Sequence, residues 1–460
     1  RDRYRPAYRR VMSSLKPNFG WTRGVAARGA AMLSGCAIQH AHILRHVLIV
    51  IYADIQRFFP AMDRDYVLLA EEWYKLPLDV REATLALYSD ACMLYETEHG
   101  MADFDFDTLH MTCGSIQGCL LSTEKAKIFL NSLIEAIDLV VSGGGVRFWN
   151  GTRGGGRRIV HAICADDLAC MVTSFLAAHT VFRVLGEWAE VSASVFGIEQ
   201  ASKTTWSAVT FAVDGAPREA VPPAWFAPQL RGEPVPQLPI LSTYAHIGAD
   251  WSLAGSTRAI VQKQLSLCQG WLARLRRMVR CSQREYAEAR NVGIGSIVEA
   301  YAPFAVLTHA EAEQVEKVAR RDARRRFRGD SVTYNVDYYL TAPWQPTPQF
   351  GEASQDADET SMTGAGWRHA YSYSRASNYA AVLAAVLDGE SSDLRYCMRS
   401  LLDLVCYEWG MRGHTPVTWS WDHLRLVLCA VTRAADSGRR GGTMESFCLL
   451  YTSPSPRDEV

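Results

Sequence analysis

Two hydrophobic periods divide this chain. Val47-Leu-Ile-Val-Ile-Tyr-Ala53 is a near-continuous apolar run of strand length, rich in β-branched residues, and it ends on Asp54. His161-Ala-Ile-Cys-Ala-Asp-Asp-Leu-Ala-Cys-Met-Val172 places two short apolar stretches around Asp166-Asp167, which predicts two buried strands joined by a tight turn. Upstream, Ser142-Gly-Gly-Gly145 and Gly151-Thr-Arg-Gly-Gly-Gly156 punctuate a predicted hairpin with strands at Val146–Trp149 and Arg157–Cys164. Elsewhere the period is helical. Apolar residues recur at 126, 129, 130, 133, 134 and 137, and a second helix is predicted from about Phe175 to Ala193. After Gly255 the spacing of three and four continues to about Phe327, and it returns at Asn378–Gly389 and Leu394–Met411.

The carboxylates at the strand ends are the first candidate chemistry. A half-buried acidic pair is costly without a compensating positive charge, and a divalent metal is the usual one. Taken alone, an Asp-Asp turn such as Asp166-Asp167 is more often a solvated hairpin tip, and Asp54 reads equally as a helix N-cap. Mg²⁺ takes oxygen ligands and is held by one or two carboxylates plus substrate phosphates. Between the two acidic sites, Cys113-Gly114-Ser-Ile-Gln117-Gly118-Cys-Leu-Leu-Ser122-Thr123 is a glycine-bearing loop that feeds the first helix. Such a loop permits close backbone approach to a flat ligand.

In chain order these segments resemble motifs A, B and C of reverse transcriptases. Motif A would be Asp54 to Phe59, motif B Gly114 to Ser122, and motif C Ala165-Asp166-Asp167. Phe196-Gly-Ile-Glu-Gln-Ala-Ser-Lys203-Thr204 is similar to motif D, and Tyr244-Ala-His246-Ile-Gly248 to the primer grip. Order and spacing are most similar to non-LTR (LINE-like) retrotransposon enzymes, with group II intron enzymes second; the resemblance covers roughly residues 20–330. It implies an α+β fold: a right-hand polymerase palm, with a ferredoxin-like antiparallel sheet and helices behind it, plus a helical thumb and a helical C-terminal region. It implies an RNA-directed DNA polymerase with two Mg²⁺, or Mn²⁺ in their place, acting on an RNA template, a DNA primer and dNTPs.

Carried over residue by residue, the resemblance gives Asp54, Asp166 and Asp167 as the metal-binding and catalytic carboxylates. Lys203 becomes the proton donor to pyrophosphate, although a solvated surface lysine reads the same. Phe59 becomes the gate beneath the sugar, with Phe58 as the alternative if the register slips by one. Gln117, Gly118 and Ser122 would line nucleotide and template, and His246 and Gly248 would form the primer grip. Two positions depart from the family pattern: Cys164 stands where Tyr or Phe precedes Ala-Asp-Asp, and Thr123 where Pro follows the motif B serine. Neither removes a carboxylate. A catalytically inactive nucleic-acid-binding remnant of such a polymerase is the alternative reading.

Composition adjusts this picture. The chain has 460 residues, 48% of them hydrophobic, enough for two or three packed domains. Its net charge of −1 does not suggest nucleic acid, but its distribution does. From Arg258 to Asp330 there are 15 Lys and Arg against 8 Asp and Glu. The tightest cluster carries Arg320, Arg321, Arg324 and Arg325. It reads as a thumb gripping a duplex, a solvated helix face or a nuclear import signal. The 12 cysteines include no CxxC pair, which argues against a zinc knuckle and a disulfide framework, so Cys164 and Cys170 read as core residues. No apolar segment approaches the roughly 20 residues of a membrane span, and no secretory signal is visible. An intracellular protein is expected, nuclear or in a cytoplasmic ribonucleoprotein.

The expected organisation is a residual fingers segment at 1–46, a palm at 47–250, a basic helical thumb at 251–330, a helical region at 331–435 and a disordered tail at 436–460. The first segment is too short for a full set of finger strands, so the chain reads as N-terminally truncated. The ending of the tail resembles translated adaptor sequence and reads as non-native. No endonuclease signature is present, which would leave target nicking to a separate domain or protein. Gly351–Met362 is polar and acidic and reads as a linker. Trp409–Trp421 could stack on bases or fill a core. Asp103-Phe-Asp105-Phe-Asp107 imitates a calcium loop, but Thr108 and Gly114 stand where Gly and Glu are required. Its alternation suggests a strand with one wet face.

Overall fold

The apolar run that ends on Asp54 forms the middle of a five-stranded antiparallel sheet. This is seen in a computed structural model that describes residues 5–16, 18–19, 28–89, 96–97, 100–101, 113–115, 121–141, 143–149, 156–198, 203–278, 283–305, 307–326 and 392–408, with isolated positions between 370 and 385. From the N-terminus the elements are α1 (Arg5–Ser14), α2 (Arg28–Leu44), β1 (Leu48–Ala53), α3 (Phe58–Ala61), α4 (Arg64–Trp73) and α5 (Leu78–Ser89). A two-stranded pair, β2 (Glu96–Thr97) and β3 (Gly100–Met101), precedes α6 (Ser122–Val141). Then come β4 (Val146–Trp149), β5 (Gly156–Ile159), β6 (His161–Cys164), β7 (Asp167–Val172), α7 (Phe175–Val191) and β8 (Thr205–Phe211). The strands β9 (Pro217–Glu219), β10 (Gln229–Leu230), β11 (Glu233–Pro234), β12 (Tyr244–His246) and β13 (Ala249–Trp251) are short. Helices α8 (Arg258–Leu275), α9 (Gln283–Tyr301), α10 (His309–Arg326) and α11 (Asp393–Glu408) follow.

The sheet runs β6-β7-β1-β8-β9, and its described pairings are antiparallel. Taken with α6 and α7 as the crossovers, β1-α6-β6-β7-α7-β8 is a ferredoxin-like βαββαβ arrangement. The protein is therefore mixed α+β, with an antiparallel sheet and helices on its faces. Strand alternation decides what each face carries. Ile49, Ile51 and Ala53 of β1 join Leu168, Cys170 and Val172 of β7 in one core with Phe129, Leu133 and Ile137 of α6 and Val181, Leu185 and Trp188 of α7. Each such buried large side chain contributes about 1.5–3 kcal/mol relative to exposure. Val50 and Tyr52 take the opposite face and are also buried, which is why β1 reads as a continuous apolar run. Ser174 caps α7 by accepting from the Ala177 N–H at 3.2 Å.

Two expectations are adjusted by these elements. The strand predicted at 157–164 is two strands: β5 pairs with β4, and β6 pairs with β7, with the change of partner at Val160. The Val160 carbonyl accepts from the Met171 N–H, so the main chain stays hydrogen-bonded through the break. The helix predicted from Leu394 does not belong to a separate C-terminal region. It is α11, which packs on α2 in the same compact unit as the sheet. Arg157 pairs with Asp393 at 2.6 Å, and the Tyr396 hydroxyl donates to the Phe148 carbonyl at 3.3 Å.

The second unit comprises Ala249–Trp251 and the described residues from Gly255 to 385. It contains α8, α9 and α10, with a fully buried ion pair between Arg290 and Glu316 and a Tyr286 hydroxyl donating to Asp322 at 2.8 Å. No helix among the described residues is long and apolar enough to cross a membrane. The Asp103–Asp107 repeat, the linker at 351–362, the aromatic stretch at 409–421 and the tail lie outside the described residues.

Candidate active site

Three separated segments meet at an open cleft of about 440 Å³, lined by Asp54, Arg57, Phe59, Asp166, Gly197 and Lys203, among others. Asp54 is delivered by the end of β1. One step beyond the last β1–β7 pair, Ala53 with Leu168, it lies opposite Asp167. Its main chain is held by the segment resembling motif D: Gly197 N–H donates to the Asp54 carbonyl at 3.0 Å, and Asp54 N–H donates to Thr204 Oγ1 at 3.2 Å. The same segment brings Lys203 Nζ to 3.1 Å from Asp54 Oδ1.

Asp166 occupies the turn between β6 and β7, whose last pair is Cys164 with Asp167. Burial, with Asp54 nearby, holds the Asp166 carboxyl above the usual carboxylate range. Asp167 is pushed up to about 6 by burial, then by Asp166 and Asp54. Cys164 is buried, and burial followed by Asp167 and Asp166 raises its thiol to about 11. The cluster thus carries more negative charge than Lys203 offsets. A divalent cation would supply the missing charge, and an all-oxygen donor set suits a hard one. The fit is to two carboxylates, Asp54 and Asp166. Asp167 does not line the cleft, and among the described residues no three His, Cys, Asp or Glu side chains converge to hold one ion.

The aromatic pair after Asp54 separates by burial. Both residues line the cleft, but Phe58 is buried and packs its ring on Phe129 at 5.9 Å, whereas Phe59 is half-buried. Arg57 was missed as a candidate in the sequence. It is exposed on the cleft wall in a left-handed conformation, φ 48. A cation inside the segment that follows Asp54 was the available signal.

The remaining candidates fall elsewhere. Gln117 and Gly118 lie outside the described residues. The loop's beginning is visible: Gly114 N–H donates to the Met62 carbonyl at 2.9 Å and Ser115 N–H to the Phe59 carbonyl at 2.8 Å. Ser122 is buried and accepts a hydrogen bond from the Ser115 hydroxyl at 2.7 Å, so it ties the loop to α6 and does not face a ligand. His246 also points inward. It is 1% exposed, its Nδ1 lies 3.2 Å from Ser34 Oγ, and burial lowers its pKa to about 4. Its place is therefore behind the hairpin, not against a primer. Its neighbour Tyr244 stacks on Tyr52 at 3.9 Å, and Gly248 closes the following turn with φ 82. On α10, Arg320 pairs with Glu313, while Arg321 and Arg325 are exposed four residues apart. The Arg324 side chain lies outside the described residues.

No family model matches this chain, and no curated protein matches it. Among solved structures it is similar to a telomerase from Candida albicans, solved in complex with the TWJ fragment of telomeric RNA, at 8% identity and a TM-score of 0.35. The match covers 90% of this chain and 56% of that one, so this chain spans little more than half of that protein's length. A likeness of that degree identifies neither a family nor a function.

Proposed function

We propose that this chain is an RNA-directed DNA polymerase of a non-LTR (LINE-like) retroelement, adding dNTPs to the 3′-hydroxyl of a DNA primer on an RNA template. The observation that carries the reading is the meeting of Asp54, Asp166 and Lys203 at one open cleft with Phe59 on its wall. They come from strand end, hairpin and loop in the order of motifs A, C and D.

Asp54 and Asp166 would hold Mg²⁺, which when bound activates the attacking hydroxyl and stabilises the leaving oxygen. Lys203, paired with Asp54 at 3.1 Å, would be the proton donor to pyrophosphate. Arg57 offers a second cation to the triphosphate. Phe59 presents an aromatic face beneath the incoming sugar. Arg321 and Arg325 offer a basic helix face to duplex phosphates, which makes binding fall with salt. Target nicking is left to a separate domain or protein.

The test is primer extension by the full chain with an RNA template, dNTPs and Mg²⁺. Template-directed, metal-dependent DNA synthesis is expected. Salt-sensitive duplex binding without extension would instead identify an inactive remnant. A second expectation concerns Phe59. Phe59→Val opens space under the sugar and should lower discrimination against ribonucleotides by about 10-fold or more, the scale of a steric contact in a pocket. Single-nucleotide incorporation kinetics measure it, and unchanged selectivity removes Phe59 as the gate.

A further inference from the structure

The turn that presents Asp166 is held from a distant part of the chain. Residues 16, 18 and 19, between α1 and α2, run beside β6, the edge strand of the sheet. Phe19 N–H donates to the Ile163 carbonyl at 3.0 Å. Lys16 is fixed to α6 twice: its N–H donates to Asn131 Oδ1 at 2.8 Å, and its Nζ pairs with Asp138 at 2.6 Å. Between them Asn18, 1% exposed, grips Ala165 on both sides. Asn18 Nδ2 donates to the Ala165 carbonyl at 3.0 Å, and Asn18 Oδ1 accepts from the Ala165 N–H at 2.8 Å.

Ala165 needs such a grip. Its φ is 57, the left-handed region that an alanine disfavours, and it immediately precedes Asp166 in the turn. Both of its main-chain polar groups are satisfied by one side chain 147 residues away. We propose that Asn18 is a positioning residue for the carboxylate hairpin: it locks Ala165 in the left-handed conformation and thereby fixes the direction in which Asp166 faces the cleft. This rests on the metal-site reading above. A residue that merely filled a buried polar position would affect stability without affecting metal affinity.

Mn²⁺ binding to the full chain, read from the paramagnetic resonance of free Mn²⁺, tests this without requiring polymerase activity. Asp166→Ala is expected to abolish site binding. Asn18→Ala is expected to weaken it about 10-fold, the scale seen when the support behind a metal ligand is removed. Adding Ala165→Gly should recover much of that loss, because glycine holds a positive φ without steric cost. Unchanged affinity in Asn18→Ala, or a loss that Ala165→Gly leaves untouched, overturns the proposal while the metal reading stands. Binding indifferent to Asp166→Ala overturns the metal reading and this proposal with it. If Asn18→Ala does not fold, Asn18→Ser, smaller and still polar, carries the same comparison.

Discussion

Asp166→Asn is expected to end nucleotide addition and, in the same protein, to raise the melting temperature measured without divalent metal. The first effect follows from removing one of two carboxylates that would hold the metal, a change expected to cost about 1,000-fold or more in rate. The second follows from the charge balance. Asp167 is displaced from 3.8 to about 6, chiefly by burial and next by Asp166. A raised carboxyl pKa means that the folded protein binds more protons than the unfolded chain between about pH 4 and 6. Stability therefore falls as pH rises through that window, and the penalty is full above it. At face value the displacement of Asp167 is worth up to about 3 kcal/mol. Solvent screening at this partly exposed site reduces it to the order of 1–2 kcal/mol, of which Asp166 supplies part. The gain in Asp166→Asn should thus be nearly absent at pH 4 and present at pH 7. Calorimetry at the two pH values, beside primer extension, checks both halves. A melting temperature at pH 7 equal to or below that of the parent would show that the carboxylates are already compensated by the protein.

What the sequence reveals about this site depends on the range of the interaction. The strand ending on Asp54 and the hairpin bearing Asp166 are local patterns, apolar runs broken by acids, and both are where the periodicity places them. Helices α8 to α10 likewise follow apolar spacing within short windows. Asn18 had no such signature. Its importance lies in a turn on the far side of the sequence, and its neighbours show no periodicity. Side-chain direction was equally hidden. The likeness of Tyr244–Gly248 to a primer grip assigns His246 to the primer, but alternation along β12 buries it beneath the hairpin against Ser34. Phe58 and Phe59 differ in the same way: adjacent aromatics are indistinguishable in sequence, and only packing against Phe129 puts one inside. The return of α11 to the first unit depends on an ion pair and a buried apolar face shared with distant segments, Arg157 with Asp393 and Leu394 beside Gly29. Amphipathic spacing predicts such a helix but not its partner.

Gly114→Ala is expected to be the most damaging single-methyl change near the cleft. Gly114 has φ 82, and a Cβ built there would stand 2.3 Å from the Pro60 carbonyl oxygen and 2.7 Å from its carbon. Both contacts are backbone, and Pro60 lies in the short helix α3 with Phe58 and Phe59, so no side chain can swing away to make room. The two strands of main chain are also tied together, by Gly114 N–H to Met62 and Ser115 N–H to Phe59. A methyl group must therefore either break these bonds or displace the segment that carries Phe59 into the cleft. The left-handed backbone costs about 1–2 kcal/mol for an alanine, and overpacking adds about 1–3 kcal/mol. The sum is about 2–5 kcal/mol, or a fall of about 5–15 °C for a domain of this size. Gly232 supplies the control. Its φ is 80, but a Cβ there meets nothing within 4 Å, so Gly232→Ala bears the backbone cost without the clash. The difference between the two melting temperatures isolates the contact with Pro60. If Gly232→Ala costs as much as Gly114→Ala, that contact is not what makes glycine necessary. If Gly114→Ala melts lower but keeps the parent's affinity for dNTP, the loop from 113 to 115 does not set the position of Phe59.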